Sequence, residues 1–165
     1  MTGIQAILCL DIDGTLIDDQ EQIHPEDIKV INNFPGKIQL VLTTGRPLGS
    51  AKGVLHANKL YQDKPLPLPG VFMNGTAAYL PGEELLLEHH FSADVRQDLI
   101  NLLHSFTGST FAFFTLSTTH LVNPTTFSFH IAEKHYLSHK ISKSFEVPLN
   151  AVSYTHLTLP TKRIV

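Results

Sequence analysis

The chain has 165 residues, of which 42% are hydrophobic, and its 12 Lys and Arg against 15 Asp and Glu give a net charge of −3. This length allows one domain with a substantial core, or one domain and part of another. The lack of a basic excess argues against nucleic-acid binding, and no apolar run is long enough to cross a bilayer. No signal-like segment opens the chain. We therefore expect a soluble, cytoplasmic protein without a nucleic-acid or membrane partner.

Strand-like and helix-like patterns alternate along the first half of the chain. Ile4–Leu10 is short and almost continuously apolar, which is typical of a buried strand, and a helix is predicted to begin at Pro25. A second buried strand is predicted to stop at Thr43–Gly45, and apolar residues at helical spacing follow from Leu48. The segment "GVFMNG" predicts a third short strand. This alternation indicates a parallel sheet with crossover helices.

The pattern changes after Asn74. The segment "TAAYLPGEELLLE" predicts a hairpin that turns at Pro81–Gly82, and Ser92 is a candidate N-cap for a helix. Further on, "TFAFFTLSTTHLV" is strand-like and "FSFHIAEKHYLSHKI" is predicted to be helical. We assign residues 1–81 to an α/β unit and residues from 82 onward to a second, α+β unit.

Polar side chains follow all three strands of the first unit. Asp11 and Asp13 come after the first strand, Thr43 and Thr44 after the second, and Asn74 after the third. Ligands of such sheets bind beyond the carboxyl ends of the strands. We therefore expect these side chains to converge on one site.

Two carboxylates one residue apart repel each other unless a cation or a proton lies between them. Asp11 and Asp13 could be Mg²⁺ ligands alone, a nucleophile, or an acid/base pair, since Mg²⁺ prefers such oxygens and phosphate. Gly14 would let the backbone leave the strand sharply, and Thr15 and Thr44 supply donors for phosphoryl oxygens. An ordinary polar turn is the alternative.

Three segments resemble motifs of one family. "DIDGTL" (Asp11–Leu16) resembles the first motif of the haloacid dehalogenase (HAD) superfamily of phosphohydrolases. "LTTGRP" (Leu42–Pro47) resembles the second motif, as found in its Cof-like sugar-phosphatase group, and "MNGTAAY" (Met73–Tyr79) resembles that group's segment entering the mobile cap. The resemblance implies the N-terminal half of a Rossmann-like core in residues 1–81 and part of an α+β cap in residues 82–151.

The resemblance also implies residue roles. Asp11 would be the nucleophile that forms an aspartyl-phosphate, and Asp13 would be the general acid/base and a backbone-carbonyl ligand of Mg²⁺. Arg46 and Asn74 would shape the cap-facing side of the site. The residues implied to bind the substrate or its phosphate are Gly14, Thr15, Thr44, Gly45, Arg46, Asn74 and Gly75.

The implied reaction is Mg²⁺-dependent hydrolysis of a small phosphorylated metabolite, such as a sugar phosphate. A phosphomutase of the same superfamily is one alternative. A non-catalytic phosphate-binding or receiver-like module is another. A receiver usually carries its phosphorylated Asp after the third strand, where this chain has Asn74.

Two parts of the family pattern are missing from the chain. The family needs a lysine beside the phosphate and a distal acidic metal ligand, yet the acids after Asp98 are Glu133 and Glu146 alone. We therefore expect an inactive fragment of a longer enzyme. The segment "VSYTHLTLPT" resembles the translation of a transposon-type sequencing adaptor, since the adaptor codons GTC TCT TAT ACA CAT CTG ACG CTG CCG ACG would encode it. We expect residues 152–165 not to be native.

Overall fold

The computed structural model describes residues 3–62, 64–103, 105–106 and 110–142. The chain divides into two compact units, and the division falls after Glu88. This is later than the predicted boundary between residues 81 and 82, because both strands of the hairpin belong to the first sheet. The assignment of 1–81 and 82–151 to an enzyme core and a cap stays a prediction. The predicted adaptor-derived segment, 152–165, lies outside the described residues.

The first unit contains a five-stranded sheet and two crossover helices. Its elements in chain order are β1 (Ala6–Leu10), α1 (Pro25–Asn32), β2 (Ile38–Thr43), α2 (Leu48–Ala57), β3 (Gly70–Phe72), a 3₁₀ turn (Met73–Gly75), β4 (Ala77–Leu80) and β5 (Glu84–Glu88). The strands lie in the order β1-β2-β3-β4-β5. The first three are parallel, and β4 and β5 are added antiparallel. The predicted α/β class is confirmed, and the parallel strands end at one edge of the sheet.

The core of the first unit follows the apolar spacing of the sequence. Leu40 and Leu42 alternate with less buried residues along β2, as expected for a strand with one face inward. Ala51, Val54 and Leu55 recur at helical spacing along α2 and are fully buried. The predicted apolar face of α2 is therefore confirmed.

Helix α1 begins at Pro25, as predicted, because the residues at its start favour a helix N-terminus. His24 is the N-cap, and its ring Nδ1 accepts a hydrogen bond from the Glu26 N–H at 3.3 Å. Proline suits the first helical position since its missing N–H would have no partner there. No residue of α1 is buried among the described residues, so this helix contributes little to the core.

Strand β1 differs from the prediction in its burial. Ile7 and Leu8 are 67% and 46% exposed, and Cys9 is exposed as well. In the part of the chain that the structure describes, β1 pairs with β2 and forms the edge of the sheet. A continuously apolar strand is typical of a central position with both faces covered. The prediction of a buried strand is therefore wrong for this chain, although the strand itself is present.

The predicted hairpin turn at Pro81–Gly82 is confirmed, and the turn is attached to α2. Gly82 and Glu83 both have positive φ, at 84° and 68°. The Glu83 carboxylate accepts a hydrogen bond from the Leu66 N–H at 2.8 Å and pairs with Lys52 Nζ of α2 at 2.6 Å. These contacts fix the end of the β4–β5 hairpin.

The second unit combines two helices with a three-stranded sheet. Its elements are α3 (Ala93–Leu103), β6 (Phe111–Phe114), β7 (Thr119–Val122), α4 (Thr126–Lys134) and β8 (His139–Ile141). Strand β7 pairs antiparallel with β6 and parallel with β8. A buried cluster forms its core: Ile100, Leu103, Phe111, Phe113 and Val122.

The helix predicted over "FSFHIAEKHYLSHKI" is too long. Helix α4 ends at Lys134, and Tyr136 has a φ of 53°, a left-handed conformation that no helix continues. The last three residues of the segment, His139–Ile141, form β8, which pairs with β7. No helix among the described residues is long and apolar enough to span a membrane.

Candidate active site

The ends of the first three strands meet in one depression of the first unit. The residues that line it are Asp11, Thr43, Thr44, Gly45, Val71, Asn74 and Gly75. Asp11 follows β1, the threonines close β2, and Asn74 follows β3. The convergence expected from the sequence is therefore present, and Val71 is the member that the sequence did not indicate.

Asp11 presents a carboxylate at the end of β1. Its Oδ1 accepts a hydrogen bond from the N–H of the next residue, Ile12, at 2.8 Å. Ile12 is fully buried, so the backbone that orients this carboxylate is anchored in the core. The Asp11 side chain itself is exposed. An exposed, oriented carboxylate can contact a ligand in the depression.

The chain turns away from β1 through Gly14, whose φ of 72° lies in the left-handed region that favours glycine. The Gly14 N–H donates to the Ile17 carbonyl at 3.2 Å, and the N–H groups of Leu16 and Ile17 donate to the Ile12 carbonyl at 3.0 Å. Gly14 and Thr15 line a groove toward the start of α1, next to His24. They are not among the residues lining the Asp11 depression.

Backbone hydrogen bonds join the loops that follow β2 and β3. The Thr44 N–H donates to the Val71 carbonyl at 3.0 Å, and the Asn74 N–H donates to the Thr44 carbonyl at 3.3 Å. The Met73 N–H donates to the Arg46 carbonyl at 3.1 Å. These bonds hold Thr44 and Asn74 in a fixed relation at the edge of the sheet.

Asn74 lies on a strained turn and packs against a glycine. Met73 and Asn74 have φ values of 50° and 54°, and Gly75 follows at 96°. A Cβ on Gly45 would lie 3.1 Å from Asn74 Oδ1, closer than a carbon normally approaches this oxygen. Backbone strain of this kind is concentrated at functional sites. Gly45 thus leaves room for the Asn74 amide beside the depression.

Thr44 is buried, and its hydroxyl oxygen accepts a hydrogen bond from the Arg46 N–H at 3.1 Å. A threonine hydroxyl has one proton to donate as well as lone pairs to accept with. Because the oxygen already accepts from the backbone, the proton is the group that Thr44 can offer to a ligand in the depression.

Arg46 and Asp13 pair with each other, and neither is among the residues that line the depression. The Arg46 side chain is 7% exposed. The roles of both residues at the site stay predictions. Nε donates to Asp13 Oδ2 at 2.9 Å, and Nη2 donates to Oδ1 at 2.7 Å. Burial lowers the pKa of Arg46, but the hydrogen bonds and charges of Asp13 and Glu21 outweigh it and raise the pKa above its ordinary value. The guanidinium is therefore a permanent cation beside Asp13.

Glu21 is the site residue that sequence reasoning missed. Its carboxylate Oε1 lies 2.7 Å from Arg46 Nη2, and its side chain is 11% exposed. It falls in the polar run "DDQEQ", which is typical of a solvated loop. Nothing local in this run indicates a buried carboxylate, because the burial depends on an arginine 25 positions away.

The Asp11 carboxylate, which lines the depression, is an oxygen donor of the kind that Mg²⁺ prefers. The backbone carbonyl of Asp13, the second predicted ligand, belongs to a residue outside that lining. The described residues contain no cluster of three or more His, Cys, Asp or Glu side chains that could hold a metal ion. The oxygens present fit part of a magnesium site.

Solved structures share this fold at low identity. A Thermotoga maritima protein is 21% identical, with a TM-score of 0.66 over 83% of this chain and 49% of that one. A haloacid dehalogenase-like hydrolase from B. subtilis is 16% identical, with a TM-score of 0.65 over 92% of this chain and 58% of its own. A HAD subclass IIB sugar phosphatase is also 16% identical, with a TM-score of 0.63 over 86% and 53%.

The chain spans about half the length of these structures. No curated protein is similar enough to this chain to count as a match. The family model for haloacid dehalogenase-like hydrolases matches residues 8–159, which is most of the chain. The predicted Rossmann-like fold and the predicted family are thus confirmed, and the chain belongs to the haloacid dehalogenase-like hydrolases.

Proposed function

We propose that this chain is the N-terminal part of a Mg²⁺-dependent phosphohydrolase that acts on small phosphorylated metabolites in the cytoplasm. The observation that carries the proposal is the depression in which the exposed Asp11 carboxylate meets Thr44 and Asn74. It combines a nucleophile, a hydroxyl donor and an amide at one sheet edge. No nucleic acid or membrane takes part in this function.

In this proposal, a carboxylate oxygen of Asp11 attacks the phosphorus atom, and the bond from phosphorus to the leaving oxygen breaks. Asp13 donates a proton to that oxygen, and the freed alcohol departs. Asp13 then takes a proton from a water molecule, whose oxygen attacks the phosphorus atom; the bond from Asp11 to phosphorus breaks, inorganic phosphate is released, and the Asp11 carboxylate is regenerated. Thr44 donates a hydrogen bond to a phosphoryl oxygen throughout.

The metal would be held by the Asp11 carboxylate and the Asp13 carbonyl, and when bound it would supply positive charge to the phosphoryl oxygens. The described residues provide no third acidic ligand. We therefore propose that residues 1–165 alone bind Mg²⁺ weakly and do not turn over, and that the remaining ligand lies in the rest of the enzyme.

A sugar phosphate is the substrate class that we favour. Support comes from the Cof-like form of "TTGRP" and from the fold shared with a HAD subclass IIB sugar phosphatase. Membership of the hydrolase family argues against a receiver-like module.

The test is to express the complete gene product and to measure inorganic phosphate released from a panel of sugar phosphates, with Mg²⁺ and with EDTA. We expect Mg²⁺-dependent release that Asp11→Asn abolishes and that Asp19→Asn, at an exposed loop position, leaves unchanged. Isomerised sugar phosphate without phosphate release would make the protein a phosphomutase. Comparable activity from residues 1–165 would contradict the proposed inactivity of this chain.

A further inference from the structure

A single nitrogen of Arg46 contacts two carboxylates. Nη2 lies 2.7 Å from Asp13 Oδ1 and 2.7 Å from Glu21 Oε1. This nitrogen carries two N–H groups in the plane of the guanidinium, one for each carboxylate. The orientation of the guanidinium toward Asp13 is therefore coupled to its contact with Glu21.

The two carboxylates differ in their surroundings. The Asp13 side chain is 52% exposed, whereas those of Glu21 and Arg46 are almost fully buried. A half-exposed carboxylate can reach a substrate, and a buried one cannot. Glu21 therefore binds Arg46 on its buried side, while the Asp13 carboxylate remains accessible to a substrate.

Glu21 is itself held rigidly. Its φ of 58° is a left-handed conformation, and its N–H donates to the Asp18 carbonyl at 3.0 Å. Asn58, which follows α2, donates from Nδ2 to the Glu21 carbonyl at 2.9 Å, and its Oδ1 accepts from the Ile23 N–H at 2.8 Å. The loop that carries Glu21 is therefore attached to the end of α2 at Glu21 and at Ile23.

We infer that Glu21 is a positioning residue for Asp13: through Arg46 it fixes the direction in which Asp13 delivers its proton to the leaving oxygen. This inference rests on the proposed phosphohydrolase function. Without the Glu21 carboxylate, Nη2 has one fewer acceptor, and the guanidinium can turn away from Asp13. Small displacements of a catalytic group are costly, since about 1 Å can reduce the rate about 100-fold.

The test uses the complete enzyme and two substrates. One is an alkyl phosphate that the wild type hydrolyses, whose leaving oxygen needs a proton. The other is 2,4-dinitrophenyl phosphate, whose leaving group departs as an anion. The parameter is kcat/KM, which reports the steps up to leaving-group departure. We expect Glu21→Gln to lower kcat/KM about 10- to 100-fold for the alkyl phosphate and less than about threefold for the aryl phosphate.

Two further variants make the test specific. Glu26→Gln changes an exposed glutamate of α1 and should leave both substrates within about twofold of the wild type. In an Asp13→Asn background, Glu21→Gln should add no further loss, because a residue that acts through Asp13 has nothing left to position. Glu21→Asp, which keeps the charge but shortens the reach, should show the same selectivity as Glu21→Gln.

Equal losses for both substrates, no loss for either, or additive losses in the Asp13→Asn background would overturn the inference. So would failure of both Glu21 variants to fold, which would make Glu21 a structural residue only. A wild-type enzyme without phosphatase activity would contradict the proposed function, and this inference with it. An active wild type with an unaffected Glu21→Gln variant contradicts this inference alone.

Discussion

Arg46 donates hydrogen bonds from two nitrogens to the carboxylate of Asp13: Nε lies 2.9 Å from Oδ2, and Nη2 lies 2.7 Å from Oδ1. This is the bidentate geometry in which a guanidinium fixes both the position and the plane of a carboxylate. The arginine of the second motif therefore supports the second aspartate of the first motif. Its contribution to the proposed chemistry is the orientation of Asp13.

The first prediction concerns the buried ion pair between Arg46 and Glu21 and its contribution to stability. Arg46→Met should lower the free energy of unfolding by about 3–5 kcal/mol, because it leaves the buried Glu21 carboxylate without its cation. Lys29→Met is the matched control, since Lys29 pairs with Glu26 on the surface of α1. Exposed pairs contribute less than about 1 kcal/mol. Urea denaturation measures the free energy of unfolding of both variants. Equal losses of stability in the two variants would show that burial of the Arg46–Glu21 pair does not matter.

The second prediction concerns two glycines of the same segment. Gly45→Ala should reduce activity about tenfold or more, because its Cβ would press against Asn74 Oδ1 at 3.1 Å and displace the amide. Gly49→Ala should keep full activity, since its Cβ would meet nothing within 4 Å. Gly49 lies in the first turn of α2, so alanine should stabilise the protein by up to about 0.5–1 kcal/mol. Phosphate release and thermal melting separate the two effects.

The third prediction ranks three substitutions in the complete enzyme by the loss of activity that each one causes. Asp11→Asn should abolish turnover, because an amide can neither attack phosphorus nor serve as an anionic metal ligand. Asp13→Asn should slow leaving-group departure with little change in KM. Thr44→Ala should cost least, since one neutral hydrogen bond is typically worth about 0.5–1.5 kcal/mol. Steady-state kinetics measure the order, and near-normal activity of Asp11→Asn would refute the assignment of the nucleophile.

Much of the site could be predicted because its signals are local. Polar residues after an apolar run mark the end of a strand, and parallel strands bring such ends together, so Asp11, Thr44 and Asn74 could be assigned to one edge. The start of α1 at Pro25 is equally local, because it depends on the cap and the first turn alone.

The features that escaped prediction depend on contacts between distant segments. The burial of Glu21 depends on its pairing with Arg46, and the contact of Arg46 with Asp13 joins the loop after β2 to the loop after β1. The strand β8 forms because residues after Tyr136 pair with β7, which overrides their helical spacing. The exposure of β1 reflects its edge position, which its apolar composition does not reveal.

The fourth prediction concerns self-association of residues 1–165. Ile7 and Leu8 are exposed on β1, whose outer edge has no partner strand in the described part of the chain. An uncovered apolar edge strand is a template for pairing with another chain. We expect concentration-dependent oligomers in sedimentation experiments, and Ile7→Lys should reduce them. Val95→Lys, on an exposed position of α3, is the control that should not. A monomer at all concentrations would contradict this prediction.

The last prediction concerns His120 in the second unit. This residue is almost completely buried in β7, and its Nδ1 lies 3.0 Å from Ser142 Oγ. Burial, and then the charge of Lys140, lower the pKa of His120, so the folded state favours the neutral ring. The unfolded chain takes up a proton near pH 6.5, whereas the folded chain does so only at lower pH. The stability that His120 contributes is therefore complete above about pH 6.5 and is lost as the pH falls toward its folded pKa.

Thermal melting of the second unit between pH 7.5 and pH 4.5 measures this loss. His120→Gln should flatten the pH dependence over that range, because glutamine keeps a hydrogen-bonding group and does not titrate. His130→Gln, which changes an exposed histidine of α4, should leave the dependence as in the wild type. If His120→Gln retained the full dependence on pH, the proton uptake would have to be assigned to another group.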